Sequence, residues 1–310
     1  MGIVVFGATY VDIKGYPITQ YIPGGRNVGR VVHVHGGVSR NVAEDIANVE
    51  LKPTFISVLD QSGTSTDVIN KLRRHQVNTD YIVRTEDGLG TWLAIFDNDG
   101  DVVGSISKRP DLSPISGILE KDGDRIFSEA DSVVAEIDME APILKQIFTL
   151  AEKYHKEVYA VVSNMSIAVE RRDLLQKTGC IVCNAQEAGI LFSEDFGELE
   201  PQELAAVISE KIGQANIPRM IVTMGGMGAV YAQMNGEVGT VPAQNVSVID
   251  TTGCGDAFFA GAAIGLTYGK TLREACNIGT RLAASVIVTK ENVCPRFRPE
   301  EFDIHPEETV

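Results

Sequence analysis

The sequence predicts one α/β domain with a mostly parallel central sheet and a small β-sheet lid. Two observations carry this. Short continuous apolar runs alternate with helical segments, as in sheets covered by helices on both faces. Two other segments break that rhythm with alternating polar and apolar residues, the mark of half-exposed strands. Within the 310 residues there is no internal repeat, low-complexity tract or Pro/Ser-rich linker to divide the chain, so residues 1–310 read as one domain.

The first strand is "IVVFG" from residue 3. A helical segment follows in which Val42, Ala43, Ile46, Ala47 and Val49 share one face, and "TFISV" from residue 54 is the next strand. The alternation resumes with "SVVAEI" (132–137), a helix from about Pro142 to His155, "EVYAVV" from 157, "CIVC" from 180 and "MIVTM" (220–224), with helices between them. The lid is assigned to about residues 13–35 and 90–107, where "VVHVHG" and "TWLAIF…DVVGSIS" alternate, the second folding back about "DNDG".

A net charge of −15 argues against nucleic-acid polymers and anionic membranes as partners. No stretch reaches the ~18 apolar residues of a membrane span, and the amino-terminal run lacks the basic start of a signal peptide, so a cytoplasmic location is expected. Five irregularly spaced cysteines suit reduced thiols. Cys180 and Cys183 lie three apart on one strand and so face opposite ways, which favours core packing over zinc or redox chemistry.

The stretch "DTTGCGDAF" (250–258) ends a glycine-rich loop at the start of an apolar helix. A helix start leaves backbone N–H groups without intrahelical partners and favours negative charge, while glycine lets an anion come close. Gly253, Cys254 and Gly255 therefore form a candidate phosphate cradle. Asp256 beside it has two readings: a base that takes a hydroxyl proton as a phosphoryl group arrives, or a helix cap. There is no P-loop, and "GCGDAF" fails the dinucleotide fingerprint because Phe258 stands at its sixth position.

"DTTGCGDAFFAG" resembles the carboxy-terminal signature of the ribokinase (PfkB-type) carbohydrate and nucleoside kinase family. "GGVSRNVAEDIA" (36–47), Asp12, "NAQEA" (184–188) and "VTMGGMGAVY" (222–231) are similar to the family's other motifs and occur in family order. The resemblance implies a ribokinase-like three-layer α/β/α fold and an ATP-dependent phosphotransferase acting on an alcohol group. It implies Asp256 as general base, with the N–H groups of Gly253, Cys254 and Gly255 as anion hole and Asp250 and Thr251 shaping the turn. Only the Cys254 backbone is needed, and its thiol reads as small filler.

By the same resemblance Asp12, expected at the carboxyl end of the first strand, accepts from two sugar hydroxyls, Gly36 and Gly37 admit the sugar ring, and Asn41 supplies a donor and an acceptor. Asn184 and Glu187 face the phosphates, with Glu187 holding Mg2+ mainly through water. Thr223, Gly225 and Gly228 border the nucleotide, with Thr280 near the adenine. Relatives hold a monovalent cation against a loop that "VTKENVCP" (288–295) departs from, which leaves a cation requirement open. Tyr10 departs from the Asn that relatives often carry two positions before this Asp.

"VDIKGYP", "GGRNVG" and "GGVSRNVAEDIANV" look most like the pseudouridine kinase branch. That implies a C-nucleoside or other ribosyl substrate, phosphorylated on its primary hydroxyl, with ribose, fructose and ordinary nucleosides as alternatives. A sugar- or nucleotide-binding regulator on the same scaffold is the non-enzyme alternative, and the presence of Asp256 speaks against it. His33 and His35 share a lid face at metal-ligand spacing but have no third ligand in the sequence nearby. Uncovered lid edges invite pairing between subunits, so a homodimer through the lid is a further expectation.

Overall fold

The computed structural model describes residues 1–305. Its strands are β1 (Gly2–Phe6), β2 (Tyr10–Pro17), β3 (Gly29–Gly36), β4 (Thr54–Leu59), β5 (Ile82–Arg84), β6 (Gly90–Phe96), β7 (Val102–Lys108) and β8 (Ala130–Glu136). β9 (Val158–Val161), β10 (Cys180–Asn184), β11 (Arg219–Thr223), β12 (Ala229–Gln233) and β13 (Val238–Val241) complete the set. The helices are α1 (Val38–Asn48), α2 (Gly63–Arg74), α3 (Pro114–Glu129), α4 (Ala141–Lys153), α5 (Met165–Ala168) and α6 (Arg172–Leu175). They continue with α7 (Ala185–Phe192), α8 (Pro201–Ala215), α9 (Cys254–Thr267) and α10 (Leu272–Ile287).

Nine strands make the central sheet in the order β13-β12-β11-β10-β9-β8-β1-β4-β5. From β11 to β5 every pairing is parallel, with Val4 of β1 opposite Val133 of β8 and Thr54 of β4. Successive side chains leave a strand on opposite faces, and the core divides accordingly. Val4 and Phe6 pack with helices α3, α4, α7 and α8, whereas Ile3 and Val5 pack with α1, α2, α9 and α10. Three layers result. Cys183 enters the first core and Cys180 the second, both as buried free thiols, as their spacing requires.

The antiparallel pair β12 and β13 at one edge is absent from the sequence reading. Its signal is Asn235-Gly236 between alternating runs, and Asn235 takes the positive φ of 56° that hairpin turns need.

A second sheet, β3-β2-β6-β7, stands apart from the first. It is mixed: β2 pairs antiparallel with β3 and parallel with β6, while β6 and β7 form the hairpin about "DNDG". Its first strand begins at Tyr10, three residues before the expected lid boundary. Asp12 therefore belongs to this smaller sheet, where it lies opposite Trp92, and not to the end of β1. The chain turns between Phe6 and Tyr10 and leaves the central sheet earlier than the apolar pattern implies. His35 lies 3.7 Å from Asp67, and among the described residues no group of three or more His, Cys, Asp or Glu is placed to hold a metal ion. No helix among them is long and apolar enough to cross a membrane.

Candidate active site

A cavity of about 480 Å3 lies between the small sheet, the carboxyl ends of β8 and β9 and the start of α9, within the ~300–1,000 Å3 of small-molecule sites. Asp12, Gly36, Gly37, Asn41, Gly253 and Asp256 all line it. Motifs separated by more than 200 residues thus share one wall.

Gly253 is the N-cap of α9 with φ +81°, a conformation that favours glycine, and a Cβ there would overlap the Asn292 carbonyl. Asp250 accepts the Thr252 N–H at 2.8 Å, which closes the turn before the helix. The Cys254 N–H reaches the Thr251 carbonyl only at 3.3 Å, the long end of the range. The helix start thus meets the cavity at Gly253 and Asp256, with the Cys254 N–H only weakly engaged.

Asp256 does not cap its helix. Its Oδ2 accepts from Asn41 Nδ2 at 2.6 Å, across from α1. The orientation of the Asn41 amide is fixed from behind, because its oxygen accepts from Arg40 and from Asn292 Nδ2, the latter at 3.2 Å. Its nitrogen must then donate forward. Arg40 is fully buried and pairs with Glu44, which Lys71 approaches to 3.0 Å. Burial pushes Asp256 up to about 6, opposed by the Asn41 hydrogen bond and the Arg40 charge and assisted by Glu187 and Asp12. A carboxylate near pH 6 is suited to proton transfer at neutral pH. Burial also raises Asp12, against the pull of Lys14 and Arg40.

The cavity has a second set of groups that the sequence reading missed. Glu136, at the carboxyl end of β8, accepts from the Ala8 N–H at 3.0 Å and from Ser39 at 2.8 Å. Burial, then the neighbouring Asp138, raises it to about 7. Asp138 takes Arg109 Nη2 at 2.6 Å and the Ser163 hydroxyl at 2.8 Å. Trp92 lines the same wall. Two acids directly after an apolar parallel strand were the available signal, since ligands gather at carboxyl ends of such strands.

Cys254 and Gly255 open α9 but are not among the residues that line this cavity, while Asn184, Glu187, Thr223, Gly225 and Gly228 lie at the ends of β10 and β11 and Thr280 lies on α10. Asn184 and Glu187 form a reciprocal capping box, with Asn184 Oδ1 taking the Glu187 N–H at 2.8 Å and Glu187 Oε2 taking the Asn184 N–H at 2.9 Å. Asn184 also lies in register with Thr223. Gly225 and Gly228 have φ of +56° and +98°. Thr280 Oγ1, on α10, is buried without a protein partner. This orphaned hydroxyl, the glycine turn and the second oxygen of Glu187 fit a nucleotide with a hydrated metal ion. The Glu187 charge also contributes to raising Asp256, which puts the two regions within electrostatic reach of each other.

A parallel sheet whose carboxyl edge carries a cavity, a helix start framed by glycine and a glycine turn is the arrangement expected of a phosphotransferase. A profile described as "pfkB family carbohydrate kinase" matches residues 2–297, and the chain belongs to that family of carbohydrate and nucleoside kinases. Guanosine-inosine kinase of Exiguobacterium acetylicum is 32% identical over 295 residues, spanning 94% of this chain and 95% of that protein. Pseudouridine kinase of Escherichia coli (strain K12) is 24% identical over 278 residues, with coverages of 88% and 87%. Arabidopsis thaliana ribokinase, solved with ribose and ATP, superposes with a TM-score of 0.85 at 19% identity over 97% of both chains. That likeness is one of fold: a three-layer ribokinase-like domain with a smaller sheet beside it.

Proposed function

We propose that the chain transfers the γ-phosphoryl group of ATP to the primary 5′-hydroxyl of a ribonucleoside, with purine nucleosides ahead of pseudouridine. The observation that carries the chemistry is Asp256: partly buried, raised to about 6, and held by Asn41 beside a glycine-framed helix start. In this reading Asp256 removes the hydroxyl proton, and the N–H groups of Gly253, Cys254 and Gly255 stabilise charge on the arriving phosphoryl group. Asp12 accepts from two ribose hydroxyls, Gly36 and Gly37 allow the ring close, and Asn41 keeps the base oriented. Thr223, Gly225, Gly228 and Thr280 border the nucleotide, and Asn184 and Glu187 face its phosphates. Mg2+, held by Glu187 through water, would neutralise phosphate charge.

The purine preference is supported by the similarity to guanosine-inosine kinase, which is stronger and covers more of both chains than that to pseudouridine kinase. The motifs "GGRNVG" and "GGVSRN" favour pseudouridine as the second reading. The small sheet acts as a lid that excludes water from the transfer. Its Val31, Leu93, Ile95 and Ile106 are 39–70% exposed and point away from the Asp12 face, which supports a homodimer through that sheet. A cytoplasmic setting accords with five free cysteines.

The test is ADP release from ATP with guanosine, inosine, adenosine, pseudouridine, uridine, ribose and fructose, using Asp256→Asn as blank. Substrate-dependent ADP with nucleosides and little with free sugars is expected. Turnover of ribose or fructose alone would replace the nucleoside reading with a sugar kinase. No ADP from any acceptor would point to a binding regulator.

A further inference from the structure

We infer that Arg109 reads the O6/N7 edge of a purine, which makes the acceptor cavity selective for 6-oxopurine nucleosides over adenosine. The inference rests on the nucleoside reading above and adds the group that recognises the base.

The placement follows from strand register. Asp12 lies opposite Trp92, and Trp92 lies opposite Ser107, so these three project from one face of the small sheet into the cavity. Arg109 follows two residues after Ser107, at the end of β7, and lines the cavity with them. With the 5′-hydroxyl of a nucleoside at Asp256 and its ribose hydroxyls at Asp12, the base is assigned to the rest of the cavity wall, which carries Trp92 and Arg109. Trp92 supplies a flat apolar surface there, suited to a heterocycle.

Arg109 is held in place without being used up. Its Nη2 donates to Asp138 Oδ2 at 2.6 Å, and Asp138, 1% exposed, is fixed in turn by the Ser163 hydroxyl and N–H at 2.8 and 3.3 Å. The Arg109 side chain remains 50% exposed. The Tyr10 hydroxyl, on the same cavity wall, also lies within hydrogen-bonding reach of it, but a guanidinium carries five N–H donors and no acceptor, so donors remain for a ligand. Guanine and hypoxanthine present two adjacent acceptors, O6 and N7, which match that fork. Adenine presents an N6 amino donor beside N7, which a donor-only group repels. Uracil rings, including that of pseudouridine, lack an adjacent O6/N7 pair.

The experiment compares kcat/KM for guanosine, inosine, 7-deazaguanosine and adenosine in the wild type, Arg109→Gln and Arg109→Lys. The wild type should prefer guanosine and inosine to adenosine by about 5- to 150-fold and should lose part of that preference with 7-deazaguanosine. Arg109→Gln, whose amide pairs with the N6/N7 edge of adenine, should move the ratio toward adenosine by a similar factor. Arg109→Lys keeps a cation beside Asp138 but loses the fork, so it should lower the 6-oxopurine preference without favouring adenosine. If both variants lower every nucleoside alike, Arg109 only braces the lid and the assignment falls while the nucleoside reading stands. A wild type that phosphorylates free sugars but no nucleoside overturns both.

Discussion

The two halves of the site hold charge by different means. On the side proposed for the acceptor, buried and half-buried carboxyl groups line one cavity: Asp256 is pushed to about 6, Glu136 to about 7, and Asp12 upward. On the side proposed for the nucleotide, most groups are backbone turns and a capped helix, and Glu187, which burial also raises, is tied to the Asn184 N–H. Burial changes the protonation of the first set near neutral pH, whereas glycine turns and N–H groups carry fixed partial charge. Chemistry that moves a proton needs the first arrangement, and anion binding needs only the second. Substitutions on the two sides should therefore fail in different ways.

The largest effect should come from Asp256→Asn. The amide oxygen can still accept from Asn41, so acceptor and nucleotide binding should persist while kcat falls by roughly 10²- to 10⁴-fold. Turnover within a few-fold of the wild type would remove Asp256 as the base. Across the boundary, Glu187→Gln should retain the helix cap, since Gln serves at that position of a capping box. It should raise the Mg2+ concentration needed for half-maximal rate by roughly 10- to 100-fold and leave acceptor KM nearly unchanged. A Mg2+ titration that matches the wild type would remove the metal from Glu187.

How far these halves were legible beforehand follows the same division. The helix-start loop could be read from residues 250–258 because its function depends on glycine and chain direction, both local properties. The capping pair Asn184 and Glu187 was readable for a similar reason, three positions apart on one helix. Asp12 was found as a residue but set on the wrong strand, because the turn after Phe6 leaves no mark in an apolar-run analysis. Glu136, Asp138, Ser163 and Arg109 were missed altogether. They meet only because β8, β9 and the lid hairpin converge, and "SVVAEI" alone reads as a strand that happens to end in an acid.

A smaller effect sharpens the acceptor side. The acid limb of kcat/KM should fall near pH 6, where Asp256 protonates. Asn41→Ala removes a hydrogen bond to the charged form, so the limb should move up by about one unit. Glu187→Gln should move it the other way, since the Glu187 charge raises Asp256. Profiles that shift together, or that do not shift, would separate the limb from Asp256.

The smallest effect concerns stability rather than rate. Glu136 rises from 4.5 to about 7 on folding because burial and Asp138 disfavour its charged form. The folded protein therefore binds this proton more tightly than the unfolded chain. The stabilisation is complete below about pH 4.5 and is lost as pH rises through 7, at up to about 1.4 kcal/mol per pH unit. Gln fits the same hydrogen bonds: its oxygen can take the Ala8 N–H and Ser39 hydroxyl, and its amide can donate to Ser163, whose own proton turns to Asp138. Glu136→Gln should thus flatten the decline of the urea midpoint between pH 5 and pH 8 without a large loss at pH 5. Parallel wild-type and variant curves would show that Glu136 keeps one protonation state throughout, and the acceptor side would then owe its pH response to Asp256 and Asp12.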